Sequence, residues 1–263
     1  MAPANFQGGG PRSLEAGIPL LDRASLDEKA RLEDRHWFYR GRRRVLASAL
    51  DRLPIDVPCQ VLEAGSGMGG NLDWLARYGS VQGIDVNPEA VALLAARGYD
   101  VRQATLGDLP HEDRSFGLIT CLDVLEHVGD DAGALLELRR VTRRDGILVI
   151  TAPAYQVLFS PHDVAGGHLR RYTMQRLSAL ASAAGWRPVL GTYFNTLLLP
   201  AAVARRAWTK WRRARSAPRS DLLVTPASLD PVLSAPMSIE AALVRRGVRL
   251  PFGLSILLAL QNP

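Results

Sequence analysis

Val61-Leu62-Glu63-Ala64-Gly65-Ser66-Gly67-Met68-Gly69-Gly70 sets the frame for the whole chain. It opens with a short apolar run, Gln60 to Ala64, of strand length. Four glycines in the next six positions let the backbone turn tightly and pass close to a bound molecule. Gly70 to Tyr78 then takes up helical spacing, so the stretch predicts a strand, a glycine-rich turn and a helix.

The alternation continues outward from there. Ser80 to Ile84, Asp100 to Gln103, Phe116 to Cys121, Gly146 to Thr151 and Trp186 to Tyr193 read as strands. Pro88 to Arg97, Asp131 to Thr142 and Thr173 to Ala184 read as the helices between them, with Gly185 as a stop. Strands that alternate with helices predict a parallel sheet covered on both faces. Phe252 to Leu260 is the final strand.

Residues 21–53 carry helical periodicity, broken near His36 to Gly41 and stopped by Pro54 and Pro58, which predicts two N-terminal helices. Residues 195–250, rich in Pro, Arg and Ala, are unusually long for a connection and read as an inserted basic helical subdomain. Residues 1–20 include three consecutive glycines, Gly8 to Gly10, and read as a loose terminus. No apolar run follows a basic start there, so a signal peptide is not expected.

Two carboxylates narrow the ligand of the glycine turn. Gly65, Gly67 and Gly70 satisfy the dinucleotide pattern GxGxxG, a weak signal that leaves an NAD-dependent oxidoreductase open. Asp85 closes the second strand and suits the ribose hydroxyls of NAD and of S-adenosylmethionine alike. Glu63 favours the latter, because a carboxylate at the tip of the first strand repels a pyrophosphate and suits a cationic aminoacyl tail.

Together with Leu109-Pro110, Ser115-Phe116, Leu122-Asp123-Val124-Leu125-Glu126-His127-Val128 and Gly146, these residues resemble the class I S-adenosylmethionine-dependent methyltransferases. Within that family the chain is similar to the quinone-pathway O-methyltransferases and their uncharacterised relatives, over residues 61–185. Alternation and resemblance imply a Rossmann-like, doubly wound α/β fold. Its seven-stranded sheet would be mostly parallel with the last strand antiparallel, a helical lid at residues 21–53 and the insertion before the last strand. The resemblance implies that Glu63, Gly65, Gly67 and Gly69 line the methionine moiety of the cofactor, Asp85 the ribose, and Val86 and Leu106 the adenine. Backbone near Leu122 would complete the pocket. Two positions depart from the family: Thr105 where many relatives place a carboxylate against the adenine amino group, and Gly117 where the fourth strand usually has Asp.

Methyl transfer is an in-line displacement at an activated sulfonium, so the protein's task is to align an acceptor and, where needed, remove its proton. In doubly wound sheets that happens beyond the carboxyl ends of the strands. After strands four and five lie His127, His162 and His168, with His111 nearby in sequence. His127 and His168 are the candidate general bases, since imidazole titrates near neutral pH; a packing or loop-orienting role is the alternative for each. Asp123, Glu126 and His127 resemble a divalent-metal site of some quinone-pathway enzymes, although nothing in the chain demands a metal. Trp37, Arg171 and Tyr172 are candidate substrate contacts, with core packing and loop anchoring as their alternatives.

Composition bounds the remaining classes. With 47% hydrophobic residues in 263, a substantial core is expected and disorder of the whole chain is not. Two cysteines make neither a disulfide framework nor a metal motif, which points to a reduced, cytoplasmic setting. No run approaches the roughly 20 apolar residues of a membrane-spanning helix. The net charge of +6 is local: seven cations and no carboxylate lie between Arg205 and Arg219, leaving the rest near −1. With Trp208 and Trp211 among them, residues 197–219 read as a basic amphipathic helix able to meet an anionic membrane surface, or as a solvated basic face. The chain is thus expected to be cytoplasmic and peripheral at the inner face of the membrane. A small-molecule or lipid-linked substrate is the expected partner, and no nucleic-acid module accompanies the charge. A non-catalytic, membrane-peripheral binding protein with the same fold remains the reading outside enzymes.

Overall fold

The structure is a computed structural model, and it describes residues 30, 33, 36–200, 204 and 230–263. The expected loose terminus, 1–20, and the basic stretch 205–219 lie outside the described residues. One sheet organises the rest. Its strands are β1 (Cys59–Ala64), β2 (Gly79–Asp85), β3 (Val101–Gln103), β4 (Phe116–Leu122), β5 (Thr142–Pro153), β6 (Arg187–Phe194) and β7 (Ser255–Gln261). They run in the order β3-β2-β1-β4-β5-β7-β6. All neighbours from β3 to β5 are parallel, and β7 lies antiparallel between β5 and β6, as expected. The chain builds outward from β1 to β3, then restarts at β4 on the other side of β1. That reversal opens a crevice beyond the carboxyl ends of β1 and β4.

Side chains alternate between two cores. Val61, Leu118, Val149, Leu257 and Ala259 face a layer made by α1 (Trp37–Leu50) and by the helix Asp230–Arg245. Leu62, Ile119, Leu148, Leu258 and Leu260 face α4 (Asp131–Val141) and α6 (Met174–Ala183). Two shorter helices, α2 (Leu72–Leu75) and α3 (Pro88–Ala96), flank the first strands, and α5 (Pro161–Ala165) follows β5. The helix Asp230–Arg245 is then α7. Local chemistry starts these helices where it should: Asn87 accepts from the Glu89 amide ahead of Pro88, and Asp130 accepts from the Gly133 amide.

Three expectations need correction. The helix through residues 70–78 is shorter, with α2 handing over to a 3₁₀ turn at Ala76–Tyr78. The break does not extend to Gly41: Ala30 and Glu33 are helical, His36 caps α1 by accepting from the Phe38 amide at 3.2 Å, and the helix runs unbroken through Gly41. Gly41 reflects a close approach, since a Cβ there would strike Met237 of α7. The described end of the 195–250 segment is part of the sheet's own layer and not a separate unit. Met237, Ala241 and Val244 of α7 are buried against α1 and the sheet, and buried Glu240 accepts from the amides of Asn195 and Leu197. No helix among the described residues is long and apolar enough to cross a membrane.

Candidate functional site

At the carboxyl end of β1, Gly65 and Gly67 adopt φ of 93° and 53°, in the left-handed region that glycine enters without strain. A Cβ on Gly65 would collide with Val124 of the neighbouring loop, so this glycine also lets the β1 and β4 ends close on each other. Gly69 has a φ of 82° and packs over Leu94 and Leu72. Asp85 lies at the end of β2. Its carboxylate accepts from the Gly67 amide at 2.7 Å and from the Asn87 amide at 2.9 Å, which ties the two strand ends together and keeps lone pairs for ribose hydroxyls.

Glu63 is 1% exposed. One oxygen accepts from Asn71 Nδ2 at 2.7 Å, and Oε2 is buried without a hydrogen-bond partner among the described residues. Burial pushes its carboxyl up to about 8, partly offset by the Asn71 hydrogen bond. A buried, underbonded carboxyl beside a glycine turn fits the ammonium of an aminoacyl nucleoside and not a pyrophosphate. Val86 is half-buried just past β2, and Leu106 and Leu122 are buried at the crevice ends of β3 and β4.

The loops after β4 and β5 are laced together. The Leu169 amide donates to the Glu126 carbonyl at 2.8 Å, and His127 Nδ1 meets the Gly167 carbonyl at 3.1 Å. His168 Nδ1 meets Asp163 Oδ1 at 3.0 Å, and the rings of His127 and His168 stand edge to face with centroids 4.8 Å apart. The two candidate bases, drawn from segments 41 positions apart in sequence, are therefore neighbours at the ligand edge. Against the cost of its burial, hydrogen bonds from His168 and Arg171 hold the Asp163 carboxyl well below the usual range.

Other expected site residues are placed elsewhere. Arg171 is buried, donating to Asp163 Oδ1 at 2.9 Å and to the Ala154 carbonyl at 3.2 Å. Tyr172 is fully buried, its hydroxyl donating to Asp131 at 2.9 Å. Both hold the post-β5 loop through these bonds. Trp37 is 8% exposed and packs in the α1–α7 core, so it too is structural. His111 sits against Phe116 at the amino end of β4, opposite the crevice. Asp123 leaves the suggested metal group, because one oxygen is paired with Arg42 and the other accepts from Thr151 at 3.0 Å.

Two residues of the site went unread in the sequence. Arg42 is buried on the apolar stripe it shares with Leu46, Ala49 and Leu50, and an arginine at those helical spacings is a signal of a buried charge partner. Glu33 caps the glycine turn by accepting from the Gly70 amide at 3.2 Å. Nothing in its local sequence marks it.

Residues 62–150 match the family described as "Methyltransferase domain". A probable S-adenosylmethionine-dependent methyltransferase of Mycolicibacterium smegmatis is 29% identical over 183 residues, covering 66% of this chain and 67% of that one. A demethylmenaquinone methyltransferase of Tropheryma whipplei is 30% identical over 166 residues, 58% of this chain and 62% of that one. The chain thus spans about two thirds of these relatives' lengths. Among solved structures, one titled as a possible histamine N-methyltransferase of Thermotoga maritima superposes with a TM-score of 0.58 at 16% identity, over 90% of this chain and 96% of that one. The oxidoreductase reading falls with these matches and with Glu63. The glycine turn, the buried carboxylate at its tip and the family match together show a class I methyltransferase domain whose cofactor is S-adenosylmethionine.

Proposed function

We propose that this chain methylates an oxygen of a small or lipid-linked acceptor. The observation that carries the reading is the pairing of His127 and His168 beyond β4 and β5, at the same edge as the unpartnered Oε2 of Glu63. When bound, S-adenosylmethionine supplies the activated methyl group. The chain's residues position and deprotonate: Glu63 receives the ammonium of the aminoacyl tail, Asp85 the ribose, and Val86 and Leu106 flank the adenine. Leu122 closes the pocket with its backbone. His168, its Nδ1 tied to Asp163, presents Nε2 toward an acceptor hydroxyl beside His127, so the proton has somewhere to go as the oxygen is alkylated.

The named relative that acts on a demethylmenaquinone supports a quinone-like acceptor. So does the surface. Val157, Val164, Leu169, Leu197 and Phe252 are exposed apolar residues on connections at the ligand edge of β5, β6 and β7. Next to them in sequence, seven cations between Arg205 and Arg219 would each add about 1 kcal/mol of attraction near an anionic surface. We place the working enzyme at the cytoplasmic face of a membrane on that basis.

The test supplies methyl-labelled S-adenosylmethionine with phenolic, hydroquinone and amine acceptors. Label in ether linkage is expected, and transfer to amines alone or to a ring carbon would overturn the oxygen assignment. Co-sedimentation with anionic vesicles should occur in low salt and weaken in high salt; absence of binding in both removes the membrane.

A further inference from the structure

Three side chains meet at the acceptor end of the site: Glu126 and His127 from the turn after β4, and His168 from the loop after β5. One ligand-type atom from each lies within 4.8 Å of the other two. Glu126 is wholly buried, and neither of its carboxylate oxygens has a hydrogen-bond partner among the described residues. Folded proteins rarely leave both oxygens of a buried carboxyl unbonded without a use for them.

The histidines are oriented from behind. Carbonyls and carboxylates only accept, so Nδ1 of each ring carries the proton, donating to the Gly167 carbonyl at 3.1 Å and to Asp163 at 3.0 Å. Each Nε2 is therefore the nitrogen with the lone pair. Asp163 is held in turn by Ser160 and Arg171, through bonds of 2.8 Å and 2.9 Å. A ring nitrogen tied to a carbonyl or carboxylate, with the opposite nitrogen presented forward, is how metal-bound histidines are held.

We propose that Glu126, His127 and His168 bind a divalent transition-metal ion, with Asp163 and the Gly167 carbonyl orienting the two imidazoles. The donor set differs from Asp123, Glu126 and His127, since Asp123 is spent on Arg42 and Thr151. Two imidazoles and one carboxylate suit Zn²⁺, Co²⁺ or Fe²⁺ ahead of Mg²⁺ and Ca²⁺, which take oxygen ligands. In a tetrahedral set, bonds of about 2.0–2.2 Å place donors about 3.3–3.6 Å apart, so the three side chains would close by about 1 Å around the ion. Three protein ligands leave coordination positions open, as catalytic sites do. With the ion in place His168 Nε2 is a ligand and no longer a base, so an acceptor hydroxyl bound at an open position would be acidified by the ion and lose its proton to solvent in place of His168. That role rests on the acceptor reading above; the binding itself does not.

The experiment strips the full chain of metal with a chelator and titrates it with CoCl₂ while recording visible absorption. One equivalent should bind with the ligand-field bands of a four- or five-coordinate ion. Glu126→Gln and His168→Asn should each lower the affinity at least tenfold, Asp163→Asn by about ten- to a hundredfold, and millimolar MgCl₂ should not compete. S-adenosylhomocysteine affinity, measured on the same samples, reports that each variant is folded. Absence of bands in the unsubstituted protein, or bands that survive in both Glu126→Gln and His168→Asn, would overturn the site. A protein that binds cobalt as described yet methylates no oxygen acceptor supports the metal site and counts against the acceptor reading alone.

Discussion

Glu63 and Asp123 end neighbouring strands at the same edge, yet the fold treats their charges differently. Asp123, whose own backbone adopts a φ of 57°, is paired with Arg42 and accepts from Thr151. Glu63 has one bond, from Asn71, and an oxygen with none, so burial holds it at about 8. Glu126, past Asp123, has no partner for either oxygen and is held well above the usual carboxylate range by burial and by Asp123. Carboxylates that serve the architecture are satisfied by the chain; those facing the crevice are left for what binds there.

Four substitutions test that division. The largest effect should come from the acceptor half. His168→Asn should lower kcat by about 10²–10⁴ while leaving S-adenosylhomocysteine affinity unchanged, and steady-state kinetics with unaltered kcat would remove His168 from the chemistry. On the architectural side, Arg42→Met leaves Asp123 without its counter-charge. With Asp123 partly exposed, the cost should sit near the low end of the range for broken buried pairs, about 3 kcal/mol. Denaturant unfolding would show it, and a companion Asp123→Asn should recover part of the loss.

Glu63→Gln should weaken S-adenosylhomocysteine binding by about ten- to a hundredfold, the worth of a hydrogen bond to a charged group. The sign of its pH dependence follows from the raised carboxyl. Below about 8, Glu63 carries a proton that must leave when a cationic tail binds, so affinity should rise with pH, by up to about tenfold per unit, and flatten above 8. Calorimetry that finds the same slope in Glu63→Gln would assign the proton elsewhere. The smallest effect is expected at the helix contact: Gly41→Ala should cost about 1 kcal/mol, the low end for overpacking, because the flexible Met237 side chain can give way. A neutral result would mean that the two helices slide freely.

Much of the frame was readable along the chain. Every strand of the sheet was anticipated to within a few residues, as were the antiparallel placement of β7 and the tight turn at Gly65 and Gly67, because alternating apolar runs and glycine turns are local features. What stayed open shares one cause. Trp37, Arg171 and Tyr172 read as candidate substrate contacts or as core and loop anchors, because the same aromatic and guanidinium groups serve either use, and their burial favours the anchoring one.

What sequence spacing can report is the order of elements and the residue types at strand ends, since these depend on neighbours a few positions away. Which charges are paired is a property of distant contacts: Arg42 finds Asp123 across 81 positions, and His127 finds Gly167 across 40. The crevice therefore became legible in its backbone from one dimension, while the division between satisfied and waiting carboxylates emerged when the chain closed on itself and water was excluded.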